Sequence, residues 1–341
     1  MELDGRKMRV LSAIVDTYLA TGEPAGSKLV AEMLGGEVSS ATVRNDMAAL
    51  FEMGLIEQPH TSAGRVPSHL GLRVYLDKLV HYRPLSVQER REIDAMFNVR
   101  DPDPDRLLED AAEVLSETTG CATVTTTFTP KSVSVRHVEL IPVSDRTLVI
   151  VVVASNGVIK NKVCRVDFSL TPRVVEFFQN FANGHLAGVS LNKITTQYLN
   201  AAAISMGEYS PMLGGLLSSI YELCREINDG QYYQRGATRL LEYDDMRQEA
   251  RELLSLLSRR RDVINLVWGD KDGVQITIGK ENNNEELTGS AVIVSRYNIG
   301  QDNLGAIGLI GPVRLDYARL VPRLEYFTKT LSKLLTETFE D

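Results

Sequence analysis

A glycine pair, Gly35-Gly36, is followed almost at once by a serine pair, Ser39-Ser40, and this juxtaposition constrains the fold more than any other feature. Two glycines stop a helix, and a serine ahead of an apolar-periodic run starts the next one. The helix stopped here is short: Ser27 can cap it, and Leu29, Val30, Met33 and Leu34 share a face. An earlier helix over 6–20, with Met8, Leu11, Ile14, Val15, Tyr18 and Leu19 at helical spacing, ends at Gly22 and Pro24. The helix started by Ser39 or Ser40 runs to Gly54, with Val43, Met47, Leu50 and Phe51 facing inward. Two β-prone pieces, 55–58 and 65–67, then flank the loop "QPHTSAGRVPS", and a helix over 69–82 carries Leu72, Tyr75, Leu76 and Leu79. A capped amphipathic helix alone is commonplace. The order of short helix, glycine turn, serine-capped helix and hairpin matches a winged helix-turn-helix.

The outward side of the serine-capped helix presents Ala41, Asn45, Ala48 and Glu52, flanked by Thr42 and Arg44. Its first turn is small and polar, which suits entry into a major groove. Arg pairs with guanine O6/N7 and Asn with adenine N6/N7. Ser39, Ser40 and the free N–H groups of the first turn suit phosphate oxygens. At the hairpin tip, His60, Thr61, Ser62 and Arg65 would touch phosphate or a narrow groove; a second reading has His60 bracing the hairpin against its own module. The candidate DNA-binding set is therefore Ser39, Ser40, Ala41, Thr42, Arg44, Asn45, His60, Thr61, Ser62 and Arg65.

The same loop invites two rival chemistries. A His60/Ser62 nucleophilic pair needs an orienting carboxylate and an oxyanion hole, and the loop contains no Asp or Glu. A phosphate-cradling G-x-x-x-x-G-K-[ST] occurs nowhere in the chain, and "GAIGLIGP" (305–312) has the wrong glycine spacing for a dinucleotide. His137 and His185 read as packed or solvated side chains. Cys121, Cys164 and Cys224 form no CxxC pair, as expected of buried thiols in a reduced compartment. The expectation is a protein that is not an enzyme, holds no cofactor or metal, lacks a signal peptide and a membrane span, and works in the cytoplasm.

Net charge is −8, yet residues 1–83 carry nine Lys/Arg against ten Asp/Glu, so the N-terminal part is nearly neutral and the remainder carries −7. DNA contact must then come from local placement rather than an overall field. After a proline-punctuated linker over 84–104, a helix near 107–115 gives way to strands over 122–128, 133–142, 147–154 and 158–167, followed by a helix with Val174, Phe178 and Phe181. Strand signals fade from 190 to 262, resume at 273–279, 290–297 and 305–311, and end in a helix from about 315. A length of 341 residues accommodates this as an α+β multidomain chain: 1–83 winged helix, 84–104 linker, 105–190 and 263–341 two parts of one domain, and 191–262 a mostly helical insertion.

The stretches "GEPAGSKLVAE" (22–32), "VSSATVRNDMAALFEMGLIEQPHTSAGRVPS" (38–68) and "LGLRVYLDKL" (70–79) closely resemble the bacterial heat-inducible transcription repressor HrcA family. "ITIGKEN" (276–282) and "GAIGLIGPVRLDYARLVPRLEYFTKTLSKLL" (305–335) are similar to that family's closing segment. Leu72 stands where the family usually has an aromatic residue, and Ser68 where threonine is common. The resemblance implies a winged helix, a GAF-like domain and a dimerisation domain inserted into it. It implies a homodimer on double-stranded DNA, repressing chaperone operons of the groE and dnaK type at an inverted repeat called CIRCE, with the GroEL chaperonin modulating the repressor. An alternative keeps the winged helix and gives the GAF-like domain a small-molecule effector.

Overall fold

In the computed structural model, residues 3–60, 63–97, 104–243, 250–268, 273–299 and 303–340 are described. The N-terminal module contains α1 (Gly5–Thr21), α2 (Ser27–Met33), α3 (Ser40–Glu52), two short strands β1 (Ile56–Glu57) and β2 (Val66–Pro67), and α4 (His69–Lys78). Asp4 opens α1 by accepting the N–H groups of Arg6 and Lys7, and Gly22, at φ 75°, closes it. Ser27 is the first residue of α2 rather than its cap; Gly26 precedes it, with no side-chain hydrogen bond. Val10, Leu11, Ile14, Val30, Val43, Leu50, Ile56, Leu72 and Leu76 are buried in this module, each contributing on the order of 2 kcal/mol.

Onward from the module come α5 (Val87–Met96), α6 (Pro104–Thr119), β3 (Ala122–Phe128), β4 (Val135–Ser144), β5 (Thr147–Ala154), β6 (Ile159–Arg165) and α7 (Pro172–Leu186). Next are α8 (Thr196–Ile204), α9 (Ser210–Asn228), β7 (Tyr232–Arg235), α10 (Ala250–Ser258) and α11 (Arg260–Val267). The chain finishes with β8 (Val274–Ile278), β9 (Ser290–Ile299), β10 (Asn303–Pro312) and α12 (Tyr317–Glu340). Besides the hairpin, the described residues form two sheets, one ordered β7-β3-β10-β9-β8 and one ordered β4-β5-β6. The architecture is mixed α+β.

The chain divides into two compact units: residues up to 124 with 234–296 and 306–331, and residues 125–233 with 297–305 and those from 332. In the second unit α7 and α9 cover one face of the antiparallel β4–β5–β6 sheet, and Val138, Leu140, Ile150, Val152, Phe178, Leu213, Leu217 and Ile220 form one core. The stretch 191–262 is thus shared between the units, because α9 buries its apolar stripe against that sheet while α10 lies against α11 and the turn at Glu285–Leu287. It also contains β7, a half-buried strand whose residues show no alternation.

In the first unit β8 pairs antiparallel with β9, Ile276 opposite Ile293. There α5, opened by a Ser86–Glu89 capping box, lies by α12, with the Phe97 and Phe327 rings 4.6 Å apart just beyond it. Among the described residues no helix is long and apolar enough to cross a membrane.

Candidate nucleic-acid interface

The geometry of α3 follows from its buried stripe, Val43, Asp46, Met47 and Leu50. Asp46 is 3% exposed. Arg6 of α1 holds it with two hydrogen bonds, Nε to Oδ2 at 2.7 Å and Nη2 to Oδ1 at 3.0 Å. A carboxylate this buried is stable only when paired. The same bond raises the Arg6 guanidinium above its ordinary pKa. The pair thus pins the rotation of α3 about its axis.

With that rotation set, Ser39, Ala41, Arg44, Asn45 and Ala48 are exposed, and Ser40 and Thr42 are half-buried. The Ser39 hydroxyl accepts the Thr42 N–H at 3.2 Å and lies 2.9 Å from the Thr42 hydroxyl, so it caps the helix that Ser40 opens. Among the described residues Arg44 and Asn45 make no side-chain hydrogen bond or ion pair. The other cations of the module are largely committed: Arg6 to Asp46, Lys7 to Asp4, Arg9 to Glu37, and Arg73 to Asp77 and Glu281. Lys28, exposed on α2, and Lys78, exposed at the end of α4, likewise have no ion pair among the described residues.

Phe51 lies outside the buried stripe, contrary to the inward position read from spacing. It is 48% exposed. The Arg65 guanidinium covers its ring at 5.2 Å from the centroid, a cation–π contact. Arg65 is fastened by its backbone as well: its N–H donates to Ala25 O at 2.9 Å and its carbonyl accepts from Ala25 N at 2.8 Å. This bridge adds a third strand-like segment to the β1–β2 hairpin, in which Glu57 faces Val66. Gly64 makes the approach possible, since a Cβ there would meet Ala25 O at 2.5 Å. At the end of the hairpin, Ser68 accepts from Gly71 N at 3.0 Å and donates to Gly54 O at 2.6 Å, tying the start of α4 to the end of α3.

His60 is exposed and its carbonyl accepts the Ala63 N–H at 2.9 Å; its ring has no partner among the described residues. Thr61 and Ser62 lie outside the described residues. The structure therefore brings Ala41, Arg44 and Asn45 onto one exposed helix face, with Ser39 at its cap and Ser40 and Thr42 half-buried at its edges, and places Arg65 in the adjoining hairpin. Asp46, Arg6 and Ala25, which were missed in the sequence, hold that arrangement together with Phe51, which its spacing had placed inward. Only Asp46 left a signal there, as a charge within an otherwise apolar stripe.

The described residues define a mixed α+β protein with an N-terminal helical module whose α3 displays a polar face, with Arg44 and Asn45 unpaired, beside a hairpin. The chain belongs to the HrcA family. A family model described as HrcA protein C terminal domain matches residues 105–321. Proteins named heat-inducible transcription repressor HrcA are similar over nearly the whole length. That of Clostridium acetobutylicum is 32% identical, covering 94% of this chain and 94% of its own. That of Clostridium botulinum strain Alaska E43 is 33% identical, covering 98% of each chain. That of Caldanaerobacter subterraneus subsp. tengcongensis is 33% identical over 100% of this chain and 99% of its own. A crystal structure described as that of a hypothetical protein shares the fold, with a TM-score of 0.67 and 26% identity over 99% of this chain and 100% of that one.

Proposed function

We propose that this chain represses transcription, with residues 1–83 acting as a winged helix-turn-helix whose α3 reads the major groove. The carrying observation is the pair Arg44 and Asn45, exposed and unpaired on a serine-capped helix whose rotation is pinned from behind by Arg6 and Asp46. Arg44 and Asn45 read base edges, Ser39, Ser40, Ala41 and Thr42 admit the phosphate backbone, and His60, Thr61, Ser62 and Arg65 follow the duplex from the hairpin. The relatives' shared name supports heat-inducible repression as the output.

The operator is an inverted repeat of the CIRCE type ahead of chaperone operons, read by a homodimer in the cytoplasm, with GroEL modulating the repressor. The five-stranded sheet and its helices are read as the GAF-like domain, and the inserted dimerisation domain, expected over 191–262, is proposed instead for the part of the second unit at 125–233. Its β4–β5–β6 sheet leaves an apolar outer face: Ile141 stands opposite Val149, and Val149 opposite Val163. Val163 is 65% exposed and Ile141 49%, which suits a self-complementary interface.

Retardation of a labelled inverted repeat, compared with the same half-sites scrambled, tests the reading. Preference for the repeat, lost on heating and restored by added chaperonin, is the expected result. Equal binding to both duplexes removes it.

A further inference from the structure

One side of α4, with Leu72, Tyr75 and Leu76, is buried in the helical module. The other side carries His69, Arg73 and Asp77 at one-turn intervals. This polar stripe meets the edge strand β8, whose last three residues open "ITIGKEN", more than two hundred residues along the chain. Arg73 Nη1 donates to the carbonyl of Ile276 at 2.9 Å. His69 Nε2 lies 3.1 Å from the carbonyl of Ile278, which can only accept. Glu281 joins the two: its Oε2 takes Arg73 Nη1 at 3.2 Å and the Ile278 N–H at 3.0 Å, and its Oε1 lies 3.6 Å from His69 Nε2. Asp77 Oδ1 takes Arg73 Nη2 at 2.7 Å.

The match has a geometric basis. Residues four apart on a helix are separated by about 6 Å along its axis. Residues two apart on a strand are separated by about 6.7 Å, and their carbonyls share one edge. Donors at 69 and 73 therefore fall opposite acceptors at 278 and 276. An edge strand presents unpaired carbonyls that must be satisfied or covered, and here the side chains of α4 satisfy two of them. A cavity of about 300 Å³ opens among His69, Leu72, Ile278 and Gly279. A separate cavity of about 640 Å³, not lined by β8, opens among Asp16, Tyr75, Tyr82 and Asp316.

We infer that Arg73 and His69 are positioning residues for operator binding: they clamp the helical module to the edge of β8, fixing where α3 points and hence which half-site separation a pair of copies can read. The inference rests on the repressor reading above. It predicts that losing the clamp leaves the recognition surface intact and loosens only its placement.

The test uses the full-length protein, as wild type, Arg73→Ala and Glu281→Gln, on inverted repeats whose spacer is lengthened or shortened base pair by base pair. Wild type should favour one spacer by about tenfold or more. Arg73→Ala should bind all spacers within a few-fold of one another, with unchanged affinity for an isolated half-site. Glu281→Gln, which keeps the side-chain shape, should shift in the same direction and guards against misfolding of the first variant. A spacer preference undiminished in both variants overturns the clamp. Amide exchange across 69–83 and 274–281 reads the clamp without DNA: faster exchange in Arg73→Ala supports it and unchanged exchange overturns it. Failure of wild type to bind any repeat removes the repressor reading instead, and the exchange result then decides the clamp alone.

Discussion

The Arg65 guanidinium rests on the Phe51 ring, joining the hairpin to the last turn of α3. The contact holds a cation beside the exposed face of α3, the face proposed to meet DNA. Arg65→Ala should weaken binding to every duplex and lower the salt slope by about 1 unit if one phosphate is contacted. Phe51→Ala should retain the charge but lose its placement, at about 0.5–1 kcal/mol of affinity. Binding isotherms across a salt series measure both. A loss confined to one sequence would instead mean that Arg65 reads bases.

Two glycines admit backbone where no side chain fits. A Cβ at Gly71 would lie 1.8 Å from Leu55 O, and one at Gly64 would lie 2.5 Å from Ala25 O. Overpacking of this kind costs about 1–3 kcal/mol and sometimes more. Gly71→Ala should lower the unfolding midpoint more than Gly64→Ala, and Gly64→Ala should release the hairpin from Ala25. Denaturant unfolding and amide exchange at Ala25 and Arg65 report the two effects separately.

How far the site was legible in sequence follows from the range of the forces that build it. Local periodicity located α1 and α3 closely and put Arg44 and Asn45 outward, because a buried stripe repeats every three to four residues. It misplaced Phe51. At about 100° per residue, Phe51 sits about 80° from Val43 and Asp46 only about 60°, so the buried face takes in the charge and leaves the ring outside. That choice becomes possible only when Arg6, forty residues away, neutralises Asp46. The Ala25–Arg65 bridge is a single residue pair with no pattern to betray it. β7 is half-buried throughout and so has no alternation to find. The contact of α4 with β8 joins two segments that were each singled out in sequence, but nothing local pairs them.

Burial pushes the Cys121 thiol up to about 11 and the Cys224 thiol up to about 12, from an ordinary value of 9.0. Folding thus favours the neutral thiols. Their contribution to stability is complete below pH 9 and declines as pH rises toward the folded values. The unfolding midpoint should fall between pH 9 and pH 11, and Cys121→Ser with Cys224→Ser should flatten that limb. Thiol reagents at pH 8 should leave both residues unmodified until the protein unfolds.

The outer face of the β4–β5–β6 sheet is the site proposed for a dimer contact. Val163→Asp puts a charge beside Val149, its partner in register. Sedimentation should show a monomer with unchanged secondary structure, and binding to the inverted repeat should drop toward that of a half-site. A dimer that survives this change places the contact elsewhere.

The central claim is that α3 reads the operator's bases through Arg44 and Asn45. The direct measurement is competition of wild type, Arg44→Ala and Asn45→Ala between the inverted repeat and a random duplex at fixed salt. Each substitution should remove about 1–3 kcal/mol of discrimination, with circular dichroism and the unfolding midpoint unchanged because neither side chain has a protein partner among the described residues. Full discrimination in both variants would contradict the account.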